Sequence, residues 1–288
     1  MLGVPNSFLF RRVAIIGVGL IGGSLGLAIK KHRLAREVVG IARQNSSLSL
    51  ALKNKVIDKA SHDFKNGLYD VDLVVLAAPT KAIISILSSI KGNLKRGCIV
   101  MDVGSSKEAI VEAAQKTLPN HVFFVGSHPL AGSEKKGVAF SREDLFDRSM
   151  CILTPMEKTN KQALERVKSL WTKLGTIVKT MSPEEHDKAL AYISHLPHIQ
   201  AYGLIDTIPT EHLQYAPQGL KDTTRIASSD PEMWRDICMT NQANLLRSLD
   251  DFVKSLSALR KLIVSRDEHA LAEHFKKSKQ KRDGLEQP

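Results

Sequence analysis

The sequence predicts an α/β chain, a Rossmann-like and mostly parallel sheet followed by an all-helical half, on three observations. Short apolar runs alternate with helical stretches from Arg12 to Lys179, and a Gly-x-Gly-x-x-Gly turn links the first run to the first helix. Beyond Met181 helical periodicity continues without a convincing strand. The boundary is placed so that residues 1–182 form one domain and 183–288 a second, and 288 residues is a length that suits two.

Arg12–Ile16 reads as a buried strand, Gly17-Val18-Gly19-Leu20-Ile21-Gly22 as the turn, and Gly23–Lys31 as the helix after it. Glu37–Ala42 is a second strand and Ser46–Lys55 a helix; Asp72–Ala78 is a third strand, Lys81–Ile90 a helix, and Cys98–Val103 a fourth strand. Such alternation implies crossover connections and a sheet covered on both faces. Short strands follow at Val122–Val125, Met150–Thr154 and Thr176–Lys179, with a helix over Lys161–Leu174. Ser182-Pro183-Glu184-Glu185 then has the form of a helix start, with a capping Ser, Pro in the first turn and Glu three residues after the cap. Leu245, Leu249, Phe252, Val253, Leu256, Leu259, Leu262 and Ile263 carry the helical period onward.

Composition excludes several classes. Apolar residues at 43% and charged residues at 25% are ordinary globular usage. Cys98, Cys151 and Cys238 stand far apart, so neither a disulfide framework nor a zinc cluster is signalled, and a reducing cytoplasm is the expected compartment. The uncharged run Val13–Ile29 contains five glycines and is short for a membrane span. The net charge of +11 is partly terminal: eight Lys or Arg stand against three acids between Arg260 and Arg282. With Phe275 its single Phe, Trp or Tyr, that tail offers no series of rings for base stacking and reads as a solvated face, and neither nucleic acid nor membrane is expected as a partner.

A pyrophosphate needs bare backbone N–H groups at a helix N-terminus. Gly17 would make the tight turn, Gly19 would let backbone approach phosphate, and Gly22 would bring helix and strand together, with Leu20 and Ile21 between them. Pro79 and Thr80, after the third strand, join this cofactor-binding set. NAD sites usually carry Asp or Glu at the tip of the second strand, but here the tip reads Ala42-Arg43-Gln44-Asn45-Ser46. Arg43 can pair a 2′-phosphate, with Gln44 and Ser46 donating further bonds, so NADP is favoured over NAD; Arg43 stacked on adenine would leave NAD usable.

Four further segments carry chemistry: Asp102-Val103-Gly104-Ser105-Ser106-Lys107, Gly126-Ser127-His128-Pro129-Leu130-Ala131-Gly132-Ser133-Glu134, Ser194-His195-Leu196-Pro197-His198, and Gly219-Leu220-Lys221-Asp222-Thr223-Thr224-Arg225 running on to Trp234. With the glycine turn, and in this order from about Arg12 to Lys281, they closely resemble the prephenate and arogenate dehydrogenase family of tyrosine biosynthesis. The resemblance implies a dinucleotide domain followed by a helical substrate and dimerisation domain, a homodimer, and oxidative decarboxylation of prephenate to 4-hydroxyphenylpyruvate. It implies no metal. Arogenate, or both substrates as in a cyclohexadienyl dehydrogenase, is the alternative. Some relatives carry an added regulatory or chorismate mutase domain, for which the sequence offers no room.

On that resemblance His128, following the strand Val122–Val125 at a carboxyl edge of the sheet, accepts the proton of the substrate hydroxyl. Ser105 orients His128 and the hydroxyl, although it also suits an N-cap for a helix starting near Lys107. Arg225 clamps a carboxylate through paired, charge-assisted bonds. Ser194 and His198 face the substrate side chain, and the second His favours prephenate; Pro197 is expected to kink the long helix after Pro183. Lys221, Trp234 and Ser133 are assigned to the substrate, and Glu134, Asp222 and His195 to gating or support. A dinucleotide-binding regulator without activity would explain the glycine turn but not His128 and Arg225.

Overall fold

The computed structural model describes residues 8–133 and 135–285. The chain forms two compact units, one ending at Gln242 and the other beginning at Ala243.

The first unit is built on strands β1 (Phe10–Ile16), β2 (Ala35–Ile41), β3 (Lys59–Ser61), β4 (Leu73–Leu76), β5 (Ile99–Asp102), β6 (Phe123–Pro129), β7 (Met150–Thr154) and β8 (Ile177–Thr180). They form one sheet in the order β3-β2-β1-β4-β5-β6-β7-β8. All pairs are parallel except β6 with β7, where His128 stands opposite Ile152. Helices α1 (Leu20–Lys31), α2 (Asn45–Lys53), α3 (Phe64–Gly67), α4 (Thr80–Ile90), α5 (Glu108–Thr117) and α6 (Lys161–Lys173) make the connections. Strand and side-chain alternation divides the core. Val13 and Ile15 pack on one face with Leu25, Ile29 and Trp171, while Ala14 and Ile16 pack on the other with Ile83, Leu87 and Ile110. The uncharged run from Val13 is thus a buried strand and a glycine-rich helix. No helix among the described residues is long and apolar enough to cross a membrane.

One strand was not predicted and another is longer than expected. β3 has only three residues, none of them a large apolar one, and carries no periodic signal. β6 runs through His128 to Pro129, so His128 lies within the strand rather than after it. The added length comes from the antiparallel ladder to β7, a long-range partner that local pattern does not announce.

The remaining helices of the first unit are α7 (Pro183–Leu190), α8 (Leu196–Asp206), α9 (Gln218–Thr224) and α10 (Pro231–Thr240). The Ser182 side chain and Glu185 form the expected reciprocal cap of α7. Between α7 and α8 the chain makes one π-turn, Ala191–His195, so the long helix expected after Pro183 is interrupted. Pro197 supplies the reason: it has no N–H for the carbonyl of Ile193, and the hydrogen-bond ladder slips by a residue. The His198 ring bonds back to a carbonyl of this turn, Nδ1 lying 3.0 Å from the oxygen of Ser194.

The start of α5 is a second correction. Ser105 does not cap it; the N–H groups of Lys107 and Glu108 donate instead to the two carboxylate oxygens of Asp187 on α7, at 2.7 and 3.0 Å. A side chain 80 residues away does what a local hydroxyl was expected to do. The second unit contains most of α11 (Gln242–Ser265) and all of α12 (Glu268–Asp283), which begins with an Asp267 cap. Leu256, Ile263 and Phe275 on these helices are exposed.

Candidate active site

The strand order reverses direction between β1 and β4, and the glycine turn lies at that switch point, where open α/β sheets bind ligands. Gly17 has φ +97, and a Cβ there would meet the carbonyl oxygen of Ala77 at 2.2 Å. A Cβ on Gly22 would lie 2.1 Å from the Gly17 oxygen, so the first turn of α1 packs directly on β1. Gly19 differs: nothing among the described residues comes within 4 Å of its Cβ position. It is also the N-cap of α1, without a side-chain cap and with no acid in the first turn. An uncapped helix N-terminus with open space above a glycine fits a pyrophosphate, which brings the negative charge and acceptor oxygens missing there.

A cavity of about 740 Å³ opens from this turn. Gly19, Leu20, Ile21, Pro79 and Thr80 line it from the cofactor side, followed by Ser105 and His128 from β5 and β6. Ser194, His198, Arg225 and Trp234 close it from the helical side. The loop after β6 adds Ser133 and Lys136, and the ammonium of Lys136 reaches the Asp230 carboxylate at the head of α10, 2.6 Å away.

Behind His128 lies a buried polar network. Its Nδ1 is 2.9 Å from Nε2 of His186, and Nδ1 of His186 is 2.7 Å from Oδ1 of Asp187. Beside them, the fully buried Lys107 ammonium bonds the Asp102 carboxylate and the carbonyl of Ser127, whose N–H also points at Asp102. Burial holds the His128 pKa well below 6.5, with His186, Lys107 and His195 acting the same way. Burial also lowers His186, against the opposing pull of its bond to Asp187. His195 is pushed down to about 4, again chiefly by burial. Its Nδ1 contacts the Asn241 amide at 3.1 Å, and the same amide donates to the Asp187 carbonyl. On the helical wall the His198 ring stacks on Trp234, with centroids 3.6 Å apart. Burial lowers His198 as well, the Ser194 carbonyl opposing and Arg225 reinforcing the shift.

Two family models together cover most of the chain: prephenate dehydrogenase nucleotide-binding domain over residues 25–180, and prephenate dehydrogenase dimerization domain over 182–277. The chain belongs to the prephenate dehydrogenase family. It is 39% identical to a prephenate dehydrogenase of Bacillus subtilis over 280 residues, 95% of this chain and 76% of that one. It is 36% identical to a cyclohexadienyl dehydrogenase of Zymomonas mobilis over 96% of both chains. The structure of the A. aeolicus prephenate dehydrogenase in complex with hydroxyphenyl propionate and NAD+ superposes with a TM-score of 0.90, at 35% identity over 96% of this chain and 98% of that one.

Within this member of the prephenate dehydrogenase family the residues singled out by sequence divide into three sets. The cavity gathers Gly19, Leu20, Ile21, Pro79, Thr80, Ser105, His128, Ser133, Ser194, His198, Arg225 and Trp234. Gly17 and Gly22 shape the turn from beneath, His195 packs edge-on to Trp234, and Arg43, Gln44 and Ser46 are exposed beyond the end of β2. Lys221 and Asp222 are not brought to the cavity; both are exposed on α9, where Asp222 accepts from Gln218. Glu134 lies outside the described residues.

Sequence reading missed His186, Asp187 and Lys107. A signal was present: Pro183, His186, Asp187 and Leu190 follow the i, i+3, i+4, i+7 period of a buried stripe, and two of the four are polar.

The glycine geometry generates a contrast. Gly19→Ala is expected to melt like the native protein while raising the dinucleotide Kd by about tenfold or more, because the methyl fills open space near the helix terminus. Gly22→Ala should cost about 1–3 kcal/mol of stability through overpacking, and thermal melts beside cofactor titrations would separate the two effects.

Proposed function

We propose that this chain catalyses the oxidative decarboxylation of prephenate to 4-hydroxyphenylpyruvate, with NADP favoured over NAD. One observation carries the reading: a buried imidazole and a guanidinium, His128 and Arg225, line a single cavity that begins at an open glycine turn. When bound, the dinucleotide supplies a nicotinamide ring that accepts hydride. Prephenate loses that hydride from C4 while the electron pair of its C1–carboxylate bond passes into the ring, releasing CO2 and leaving a phenol.

In this reading His128 draws the hydroxyl proton as C4 gains carbonyl character and returns it as the ring becomes aromatic. A base whose pKa lies below neutrality is unprotonated at the start of each turnover. Ser105, beside it in the cavity lining, orients the hydroxyl. Arg225 pairs a substrate carboxylate, and Ser194 and His198 meet the side chain, with the Trp234 face excluding water. The family's dimerization domain and the exposed apolar residues Leu256, Ile263 and Phe275 support a homodimer. The change from strands to helices between Thr180 and Pro183 supports a functional division at residue 182. Free thiols at Cys98, Cys151 and Cys238 suit the cytoplasm.

Arogenate is a second reading, although the resemblance takes the second His, His198, to favour prephenate. Its Nδ1 donates to the Ser194 carbonyl, which leaves Nε2 of the neutral ring as an acceptor that an ammonium group also suits. For the preference for NADP, the support is the Arg43, Gln44 and Ser46 cluster at the exposed end of β2, a strand tip without a carboxylate.

Steady-state assays with prephenate and arogenate, each against NAD and NADP, test the whole reading. His128→Asn should lower kcat by ~10²–10⁴ with little change in KM. Arg225→Gln should raise the prephenate KM by roughly 10–100-fold, the loss of a charged hydrogen-bonded pair, while cofactor KM stays near native. Turnover retained by His128→Asn contradicts the role given to it. In a separate comparison, Arg43→Ala should lower kcat/KM with NADP by about tenfold and leave NAD almost unaffected. Equal losses with both cofactors would remove Arg43 from a phosphate-reading role.

A further inference from the structure

We propose that His186 and Asp187 are positioning residues that fix the tautomer of His128, so that its Nε2 presents a bare lone pair to the cavity. The inference rests on the reading above, in which His128 accepts the hydroxyl proton. It follows from donor and acceptor bookkeeping through three residues almost sealed from solvent: His186 is 0% exposed, Asp187 1% and His128 8%.

The Asp187 carboxylate offers acceptors only. Two backbone N–H groups at the start of α5, from Lys107 and Glu108, already point at its two oxygens. Nδ1 of His186, 2.7 Å from Oδ1, must therefore carry a hydrogen, and Nε2 of the same ring must be an acceptor. Only one hydrogen can then fill the 2.9 Å gap to His128: the one on Nδ1 of His128. Nε2 of His128 is left unprotonated. The opposite tautomer would set two lone pairs against each other in a buried site, forfeiting a hydrogen bond and leaving polar atoms unpaired.

Charged and polar groups enclose both rings. The groups packed around the pair are the Lys107 ammonium, the Asp102 and Asp187 carboxylates and the His195 ring, with Glu108 at the rim. Within the sealed set, Lys107 offsets Asp102, and Asp187 leaves one negative charge. A proton arriving on His128 brings that set to neutrality. The proton needs to travel no farther than Nε2, since the chain behind it orients and polarises the ring.

Capping α5 is a structural duty of Asp187, so the decisive variants are at His186, where no cap is disturbed. His186→Leu removes the acceptor for His128. His186→Gln restores it, because Oε1 can accept from His128 while Nε2 donates to Asp187. For His186→Leu the expected loss in kcat is ~10²-fold or more, with prephenate KM and dinucleotide Kd within about twofold of native; His186→Gln should recover kcat to within roughly tenfold. A Leu variant with native kcat, or a Gln variant as slow as Leu, overturns the proposal. Should either variant fail to fold, 15N-histidine NMR of the native protein decides: Nδ1 of His128 carrying the hydrogen at neutral pH supports the assignment, and hydrogen on Nε2 overturns it. Native protein inactive on both prephenate and arogenate would fail the functional reading alone, while the tautomer measurement would still stand or fall by itself.

Discussion

One carboxylate, that of Asp187, ties the arrangement together. It receives the N–H groups of Lys107 and Glu108 at the start of α5 and bonds an imidazole nitrogen of His186, and through that ring it reaches His128 on β6. The carbonyl of the same residue accepts from Asn241 at the end of α10. Sheet, crossover helix and helical wall therefore meet at a single buried residue. Charge buried in this way is tolerated when hydrogen bonds surround it and is costly when they do not. That cost makes the position of His128 a consequence of folding rather than an independent adjustment.

A second constraint acts at the opposite side of the cavity, and it is steric. Gly17 and Gly22 have no room for a side chain because strand, turn and helix are packed against one another there, whereas Gly19 has room to spare. Close packing around an open position makes a rigid anion site: the backbone is held, and the space above it is left for a ligand. Between the glycine turn and the histidine network the cavity is walled by Trp234 stacked on His198, with Arg225 in the same lining. One end of the cavity can thus hold phosphate, another a carboxylate, and the region between them a reacting ring.

Much of this was legible in the sequence, and the reasons are local. Buried parallel strands are continuous apolar runs, and the glycine turn must follow the first of them, so seven of the eight strands and the turn could be placed from pattern alone. The cap of α7 was equally plain in Ser182-Pro183-Glu184-Glu185. What sequence did not disclose depended on partners far along the chain. The extension of β6 through His128 requires β7 beside it, and the cap of α5 comes from Asp187 rather than Ser105. The π-turn combines a local cause, Pro197, with a response upstream of it. His186 and Asp187 escaped notice because polar residues in a helix read as solvated until the buried face is known. Lys221 and Asp222 show the converse: a motif carried them into the candidate site, and the fold places them on the exposed side of α9.

His128, His186 and His195 are buried and His198 is half-buried, and all four are held below the ordinary histidine pKa, with burial as the leading cause in each. A residue that works as a neutral base under these conditions stays active as pH falls through the range where a free imidazole would be lost. The most direct test is the pH dependence of kcat at saturating prephenate and dinucleotide, which reports groups in the substrate complex. A buried, neutral His128 predicts a level profile from neutrality down through 6.5, with the acid limb appearing only below that value. An acid limb centred at or above 6.5 would mean that the base is an ordinary, solvated histidine, and the account built on the Asp187 network would be wrong.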